Sequence, residues 1–237
     1  MIENFYNECD TIHFGIPHDK CKLHENTPLW NKILGAEYHI TPSYVNFNIS
    51  SKLFATSNSL GAITLANMEE IPIILNQNFG FDINSKYLLE EVLLWRVDVK
   101  KDLLVDELPN YYVYDSRRYL KRTTKKYNVQ NHDELTYSNG FSVTGKAKYK
   151  HRFSVYNKGV EISLAKNKEL REKFNYEYLK ILDKTLRCEV QFTGFKEIKN
   201  AFHIPFEKVQ TFKTVLECPY DVVYECFTKL WKGEKAV

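Results

Sequence analysis

Hydrophobic and polar residues alternate along several short stretches of the chain, as they do in β-strands that bury one face. Near the start, Ile12, Phe14 and Ile16 alternate with polar neighbours. Extended segments of this kind are predicted over residues 10–17, 44–56, 71–75, 95–103, 140–145, 151–158 and 185–192. Several strands of this length predict at least one β-sheet.

Other stretches space their apolar residues three or four apart, which predicts helices. Asn84 is a candidate N-cap for a helix over 84–94, and residues 160–182 predict one long helix. A C-terminal helix is predicted at about 221–232, while residues 115–127 fit either a short helix or an ordered basic loop. Strands mixed irregularly with helices favour an α+β fold, with a mainly antiparallel central sheet flanked by helices.

Composition narrows the class of protein. With 43% hydrophobic and 27% charged residues, the chain is typical of a folded protein, and it contains no run of 18 apolar residues that would predict a membrane helix. The first residues do not resemble a secretory signal, and the five cysteines are irregularly spaced. We therefore expect reduced thiols, a cytoplasmic location in a bacterial host cell and no membrane partner. Without an internal repeat or a long linker, a single domain over residues 1–237 is predicted.

Positive charge is concentrated in one segment, which we call the basic segment, Arg117–Lys158. It holds 11 of the 33 Lys and Arg residues and two of the 30 Asp and Glu residues, a net charge of +9 against −6 elsewhere. Tyrosines are interleaved with these cations. A groove that binds single-stranded nucleic acid requires cations that contact phosphates and aromatic rings that stack on bases. The common alternative for a run of cations is a solvated protein surface. The candidate DNA-binding residues are Arg117, Arg118, Lys121, Arg122, Lys125, Lys126, Lys148, Lys150 and Arg152.

Three of the predicted strands have a polar face. These faces carry Arg96, Asp98 and Lys100 on the first strand, Arg152, Ser154, Tyr156 and Lys158 on the second, and Arg187, Glu189 and Gln191 on the third. If the strands are neighbours, the faces place two carboxylates, a tyrosine and several cations together. Most such faces are salt-bridged surfaces, and most of the sixteen tyrosines must be structural.

The chemistry that fits this set of side chains is phosphodiester transesterification by Tyr156. A phenol with a pKa near 10 needs a nearby cation or base to become a nucleophile at neutral pH. Carboxylates can hold Mg²⁺ or Mn²⁺, which would polarise the scissile phosphate. Lys158 could stabilise the phenolate or the phosphate.

The motifs around these residues resemble those of one known family. "WRVDVKKDL", the basic segment with "KYKHRFSVYNKGVEI", and "TLRCEVQFTGFKEIKNAFHIPF" follow one another in the order of the catalytic core of filamentous-phage gene II replication initiators and the related phage and plasmid gene II/X proteins. "DTIHFGIP" is similar to the first strand of that family. The resemblance covers roughly residues 10–205, with gaps.

This resemblance implies a rolling-circle initiator that nicks one strand of origin DNA, forms a 5′-phosphotyrosine adduct and rejoins strands. The nucleophilic tyrosine of the family corresponds to Tyr156, and three of its carboxylates correspond to Asp98, Glu189 and Glu161. From the chemistry of carboxylates we infer that these three bind a metal ion. The fold implied is related to the rolling-circle nicking-endonuclease core. Single-stranded or supercoiled origin DNA is the implied partner, with host helicase or polymerase as further candidates.

The sequence departs from the pattern at two points. The basic pair before Tyr156, His151 and Arg152, is offset by one position, and the chain contains no His-x-His pair. A metal ion would therefore need mainly carboxylate ligands.

Other interpretations stay open. Cys9, His13, His18, Cys21 and His24 are a candidate structural zinc site, although their spacing matches no standard finger. A DNA-binding regulator that does not cleave, or an RNA-binding protein, could use the same basic segment. Carboxylates beside a phosphate site argue for the nickase, since binding alone does not require them.

Overall fold

The computed structural model describes residues 7–123, 127–131, 139–145 and 151–232, with the backbone alone at 121–123, 127–131 and 145. The chain divides into two compact units. The first unit comprises Met1–Phe54, Gly61–Asp98 and Thr193–Tyr220, and the second comprises Ala55–Leu60, Val99–Phe192 and Asp221–Val237. The prediction of a single domain stays a prediction.

The strands are β1 Glu8–Pro17, β2 Cys21–Lys22, β3 Trp30–Ile33, β4 Ala36–Ile40, β5 Tyr44–Ser50, β6 Asp82–Ile83, β7 Leu94–Leu104, β8 Tyr127–Asn131, β9 Gly140–Gly145, β10 His151–Asn157 and β11 Thr185–Thr193. The α-helices are α1 Glu70–Phe79, α2 Ser85–Glu90, α3 Pro109–Thr123, α4 Lys158–Ser163, α5 Lys168–Lys173, α6 Tyr176–Asp183, α7 Phe195–Ala201, α8 Phe212–Leu216 and α9 Val222–Trp231. Short 3₁₀ helices cover His18–Lys20, Ser51–Phe54 and Ala165–Asn167.

In the first unit the strand order is β3-β4-β5-β1, followed by the first half of β7. The alternation predicted for residues 10–17 is confirmed, because Ile12, Phe14 and Ile16 are fully buried. Phe14 lies opposite Phe47 of β5, and their rings stack with centroids 5.1 Å apart. Paired aromatic rings of this kind form the core on one face of the sheet.

Residues 71–75, predicted as extended, are helical, and that prediction was wrong. Ile71, Leu75 and Phe79 recur every four residues on the buried side of α1. Pro72 lies in the first turn, where backbone N–H groups have no helical partner, so it costs the helix little. Gly80 ends the helix with a positive φ of 71°. Burial of this face outweighs the β propensity of the isoleucines.

In the second unit the strand order is the second half of β7, then β11-β10-β9-β8. The pairs β10–β11, β10–β9 and β8–β9 are antiparallel. The buried ring of Phe153 on β10 meets that of Phe227 on α9 edge-on, with centroids 5.7 Å apart. Helix α9 lies within the stretch predicted to be helical at the C-terminus.

Residues 160–182 do not form one helix, and that prediction was wrong. The chain bends at Leu164 and Phe174, which have extended backbones, and it continues as α5 and α6. Asn175 caps α6 by accepting a hydrogen bond from the Tyr178 amide, which starts a new helix. Polar caps inside an amphipathic stretch therefore divide it.

Two further predicted elements are shorter than predicted, and the choice between helix and loop at 115–127 is decided in favour of a helix. The extended stretch 44–56 ends at Ser50, where a 3₁₀ helix follows, and the helix at 84–94 ends at Glu90 with Asn84 as its cap. Gly35 approaches this 3₁₀ helix so closely that a Cβ would lie 2.2 Å from the Leu53 amide nitrogen. The segment 115–127 is helical as far as Thr123, within α3.

The predicted α+β class with a large antiparallel sheet and flanking helices is confirmed. Every strand pair whose register the structure describes is antiparallel. Over the described residues, no helix is both long and apolar enough to span a membrane.

Candidate active site

Tyr156 lies near the end of β10, and its hydroxyl donates a 2.7 Å hydrogen bond to Oε2 of Glu189 on β11. The two residues are diagonal neighbours, since Tyr156 pairs with Arg187 and Ser154 pairs with Glu189. The side chain of Tyr156 is buried, with 5% of the residue exposed. A phenol and a carboxylate on adjacent strands are therefore held within proton-transfer distance.

The polar face predicted for β10 is present, and its other members contact β9. Arg152 donates a 2.7 Å hydrogen bond to the Ser142 hydroxyl, which lies 3.2 Å from that of Ser154. Nε of Arg152 is buried and has no hydrogen-bond partner among the described residues. Arg152 is therefore fixed against β9, four residues before Tyr156 on the same strand.

Lys158, predicted to lie on the same strand as Tyr156, is instead the first residue of α4. Its ammonium lies 5.8 Å from the centroid of the Tyr156 ring and 2.7 Å from Oε2 of Glu161. The other oxygen of Glu161 accepts a 2.7 Å hydrogen bond from Asn167. A buried lysine and a largely buried glutamate thus form an ion pair next to the tyrosine.

A second ion pair lies on the neighbouring strands β7 and β11. Arg187 binds Asp102 with two hydrogen bonds of 2.6 Å, from Nε and Nη2, and Lys100 lies 3.8 Å from Asp102. The side chains of Arg187 and Lys100 are each 2% exposed, and that of Asp102 is 26% exposed. Buried charges of this kind persist only when they are paired and hydrogen-bonded.

Electrostatics hold both of these carboxylates in the ionised form. Burial raises the pKa of Asp102, but Arg187 and then Lys100 outweigh it, and the net pKa lies below its ordinary value. For Glu161, burial again raises the pKa, but Lys158 and Asn167 together lower it by more, so the net pKa is also below its ordinary value. The surroundings of Tyr156 are therefore a network of fixed charges.

A chain of amides sets the position of α4. Asn157 caps this helix through a 3.2 Å hydrogen bond from the Val160 amide, and its own amide donates to Asn110 of α3. Asn110 in turn donates to Asn139. Gly159 then allows α4 to approach Asp183, because a Cβ there would lie 2.7 Å from the Cα of Asp183. These contacts fix the geometry of Lys158 and Glu161 relative to Tyr156.

Asp98, the third predicted metal ligand, belongs to the first unit. Its side chain is 2% exposed and receives two hydrogen bonds from Arg96, of 2.8 Å and 2.5 Å. Its role as a ligand to a metal shared with Glu189 stays a prediction.

The described residues do not supply a ready set of metal ligands. Among them, no group of three or more His, Cys, Asp and Glu side chains could hold a metal ion. Glu161, Glu189 and Asp98 each accept hydrogen bonds from protein groups, and these bonds compete with a cation. Mg²⁺ or Mn²⁺ therefore stays a prediction, and no step proposed below passes through it.

The candidate zinc site also lacks an assembled set of ligands among the described residues. Cys9 lies in β1 and Cys21 in β2, and burial raises the pKa of both thiols, that of Cys21 to about 12. The described part of the chain does not assemble these residues into a site.

The basic segment is described only in part. Arg117 and Arg118 lie on α3, half-buried and exposed respectively, and the backbone of Lys121 and Arg122 continues that helix. Lys125, Lys126, Lys148 and Lys150 lie outside the described residues. Their DNA-binding role stays a prediction.

Asp102 is the charged residue that the sequence analysis missed. It continues the alternation of Arg96, Asp98 and Lys100 by one more polar position, and this signal was available in the sequence. Its pairing with Arg187, which is 85 residues away along the chain, could be found only from the strand order.

Comparison with known proteins gives a weak structural likeness. No family model and no curated protein matches the chain. A solved structure of a rolling circle replication initiator protein from Geobacillus stearothermophilus is 14% identical, covers 83% of this chain and 77% of its own, and superposes with a TM-score of 0.43. Likeness at this level carries no function over to this chain. The resemblance to the gene II family therefore depends on the motifs alone.

Proposed function

We propose that the chain is a rolling-circle replication initiator that nicks a single DNA strand through Tyr156. The observation that carries this proposal is the hydrogen bond from the Tyr156 hydroxyl to Glu189. It supplies the two groups that the reaction needs first, a nucleophile and a base that accepts its proton. The motif resemblance described above points to the same tyrosine independently of this contact.

In the proposed reaction, Glu189 accepts the phenol proton while Oη of Tyr156 attacks the phosphorus of the scissile phosphodiester. The bond from phosphorus to the 3′ oxygen breaks, and that oxygen takes up a proton. The product is a 5′-phosphotyrosine ester and a free 3′ hydroxyl. Because a phosphodiester replaces a phosphodiester, attack by a 3′ hydroxyl in the reverse direction rejoins the strand.

Fixed cations assist this step. Lys158 lies 5.8 Å from the Tyr156 ring, and Arg187 is the direct cross-strand neighbour of Tyr156. Both are buried, so their fields are less screened by water than those of surface cations. They stabilise the negative charge that develops on the phenolate oxygen and on the phosphate. Asp102 and Glu161 hold the two cations in place.

The proposed substrate is single-stranded or supercoiled origin DNA, with α3 among its contacts. Arg117 and Arg118 provide charge for phosphates, and exposed tyrosines of the same helix provide rings. Host helicase or polymerase remain candidate partners.

The test mixes the protein with single-stranded oligonucleotides tiled across the DNA that flanks its own gene, labelled at either end, with Mg²⁺ or Mn²⁺ added. A covalent adduct on a denaturing gel that carries only the 3′ label is expected. Tyr156→Phe should abolish it, and Tyr38→Phe should not. Tyr38 is the matched control because it is also buried and its hydroxyl donates to the Pro28 carbonyl.

A second candidate function is a DNA- or RNA-binding regulator that does not cleave. The burial of Tyr156 favours it, since only 5% of the residue is exposed and a phosphate must reach the hydroxyl. Paired charges around a buried tyrosine also suit a purely structural network. Tight binding to the tiled oligonucleotides without any adduct would select this function.

A further inference from the structure

A groove with a volume of about 590 Å³ lies between α3 and α9 of the second unit. The described part of its lining consists of Asp115, Ser116, Arg118, Tyr119 and Trp231. None of these residues belongs to the proposed nicking site. Two aromatic rings, a cation and a carboxylate around one open groove are a combination that suits a planar polar ligand.

The aromatic side chains of the groove are accessible and anchored. Tyr119 is 52% exposed and Trp231 is 38% exposed. The indole of Trp231 packs against Phe227 with ring centroids 5.7 Å apart, and Phe227 packs against Phe153 of β10. This series of contacts connects Trp231 to the strand that carries Tyr156. A ring held in this way presents a surface on which a nucleobase can stack.

The polar side chains of the groove are Asp115, Ser116 and Arg118, and their chemistry suits some bases better than others. Asp115 contributes a carboxylate to the lining, and the oxygens of a carboxylate group accept hydrogen bonds. The Watson–Crick edge of guanine offers two adjacent N–H donors, whereas the edges of adenine, cytosine and thymine place a carbonyl oxygen or ring nitrogen beside their single donor group. Arg118, exposed on the same helix, is suited to the neighbouring phosphate.

We propose that the α3–α9 groove binds one unpaired base of single-stranded DNA and prefers guanine. The base stacks on Trp231 and Tyr119, its donor edge faces Asp115, and Arg118 contacts the backbone. This proposal depends on the proposed function for the nature of the ligand, single-stranded DNA. It does not depend on cleavage.

Fluorescence anisotropy without added metal, at one fixed salt concentration, provides the test. The protein carries Tyr156→Phe, so that cleavage plays no part. The labelled probes are thymine tracts of about ten nucleotides with a single central guanine, adenine or cytosine. We expect the guanine probe to bind at least several-fold more tightly than the other two.

Two variants of the groove and one control complete the design. Asp115→Asn, at an exposed position, should remove the preference for guanine, and Trp231→Ala should weaken binding of all three probes by about tenfold. Tyr224→Ala changes an exposed tyrosine of α9 outside the groove and should change neither quantity. Trp231→Phe, which keeps a ring, should restore most of the affinity.

Equal affinities for the three probes, or a guanine preference that survives Asp115→Asn, would overturn the proposal. An adduct at Tyr156 together with equal affinities would leave the nickase intact and remove only the base site. A guanine preference that depends on Asp115, with no adduct under any condition, would support the base site and contradict the nickase.

Discussion

Tyr156 and Glu189 are joined by a 2.7 Å hydrogen bond although neither is the direct cross-strand partner of the other. The phenol reaches diagonally past Arg187, whose own side chain is fixed on Asp102. The pair is therefore set by the register of β10 and β11, two strands buried on the other face by Phe153 and Val190.

The first prediction concerns the base. In Glu189→Gln the amide keeps the shape of the side chain but cannot accept the phenol proton, so adduct formation should slow by about 10²- to 10⁴-fold. Raising the pH should recover part of the rate, because more of the phenol ionises without a base. Initial rates of adduct formation between pH 7 and pH 10 provide the measurement. A variant as fast as the unmodified protein at pH 7 would exclude Glu189 as the base.

The second prediction concerns the stability cost of the tyrosine hydroxyl. Tyr156→Phe removes one donor from Glu189 and should lower the free energy of unfolding by about 1 kcal/mol, with the fold intact. Urea unfolding followed by circular dichroism measures this value. If the variant were unfolded, the loss of its adduct would carry no information about chemistry, and Tyr156 would be a structural residue.

The third prediction concerns the buried ion pair. Asp102→Ala leaves the guanidinium of Arg187 buried without this carboxylate, so it should destabilise the protein by about 3 kcal/mol. Lys22–Asp82 is the matched surface pair, with side chains 81% and 70% exposed. Asp82→Ala should therefore change the free energy of unfolding by less than about 1 kcal/mol. Similar effects of the two substitutions would contradict this account of the network.

The fourth prediction concerns pH. Burial, followed by the charge of Arg96, lowers the pKa of His13 from 6.5 to about 4. The unfolded chain therefore binds a proton between these values that the folded chain does not, and stability should fall as the pH falls from 6.5 toward 4. His13→Gln should reduce this loss in denaturant titrations at a series of pH values. Identical pH profiles for both proteins would show that His13 titrates normally.

The strands around the site and their polar faces could be predicted from the sequence alone. Alternation placed Tyr156 and Glu189 on strands, as the structure has them, because the opposite faces bury apolar residues such as Phe153 and Val190. It failed at residues 71–75, where a short run of isoleucines is compatible with either a strand or a helix and the chain buries Ile71, Leu75 and Phe79 on one side of a helix. It also assigned Lys158 to β10, whereas the cap made by Asn157 turns the chain into α4 one residue earlier.

Pairings between distant parts of the chain lay beyond the sequence. The pairing of Arg187 with Asp102, 85 residues away along the chain, depends on which strands are adjacent, and no local pattern contains that information. Most of the charged residues could thus be predicted as a set, whereas Asp102 was missed and its long-range pairing with Arg187 could not be predicted. Two of the carboxylates to which a metal role was assigned, Asp98 and Glu161, form ion pairs with Arg96 and Lys158.

The most direct test of the central claim identifies the residue that carries the DNA. Trypsin cleavage after Arg152 and Lys158 releases a peptide, residues 153–158, in which Tyr156 is the single tyrosine. Mass spectrometry of the nuclease-trimmed adduct should find a 5′-nucleotide on this peptide. A nucleotide on a peptide containing another of the sixteen tyrosines, or no modified peptide at all, would contradict the assignment of Tyr156 as the nucleophile.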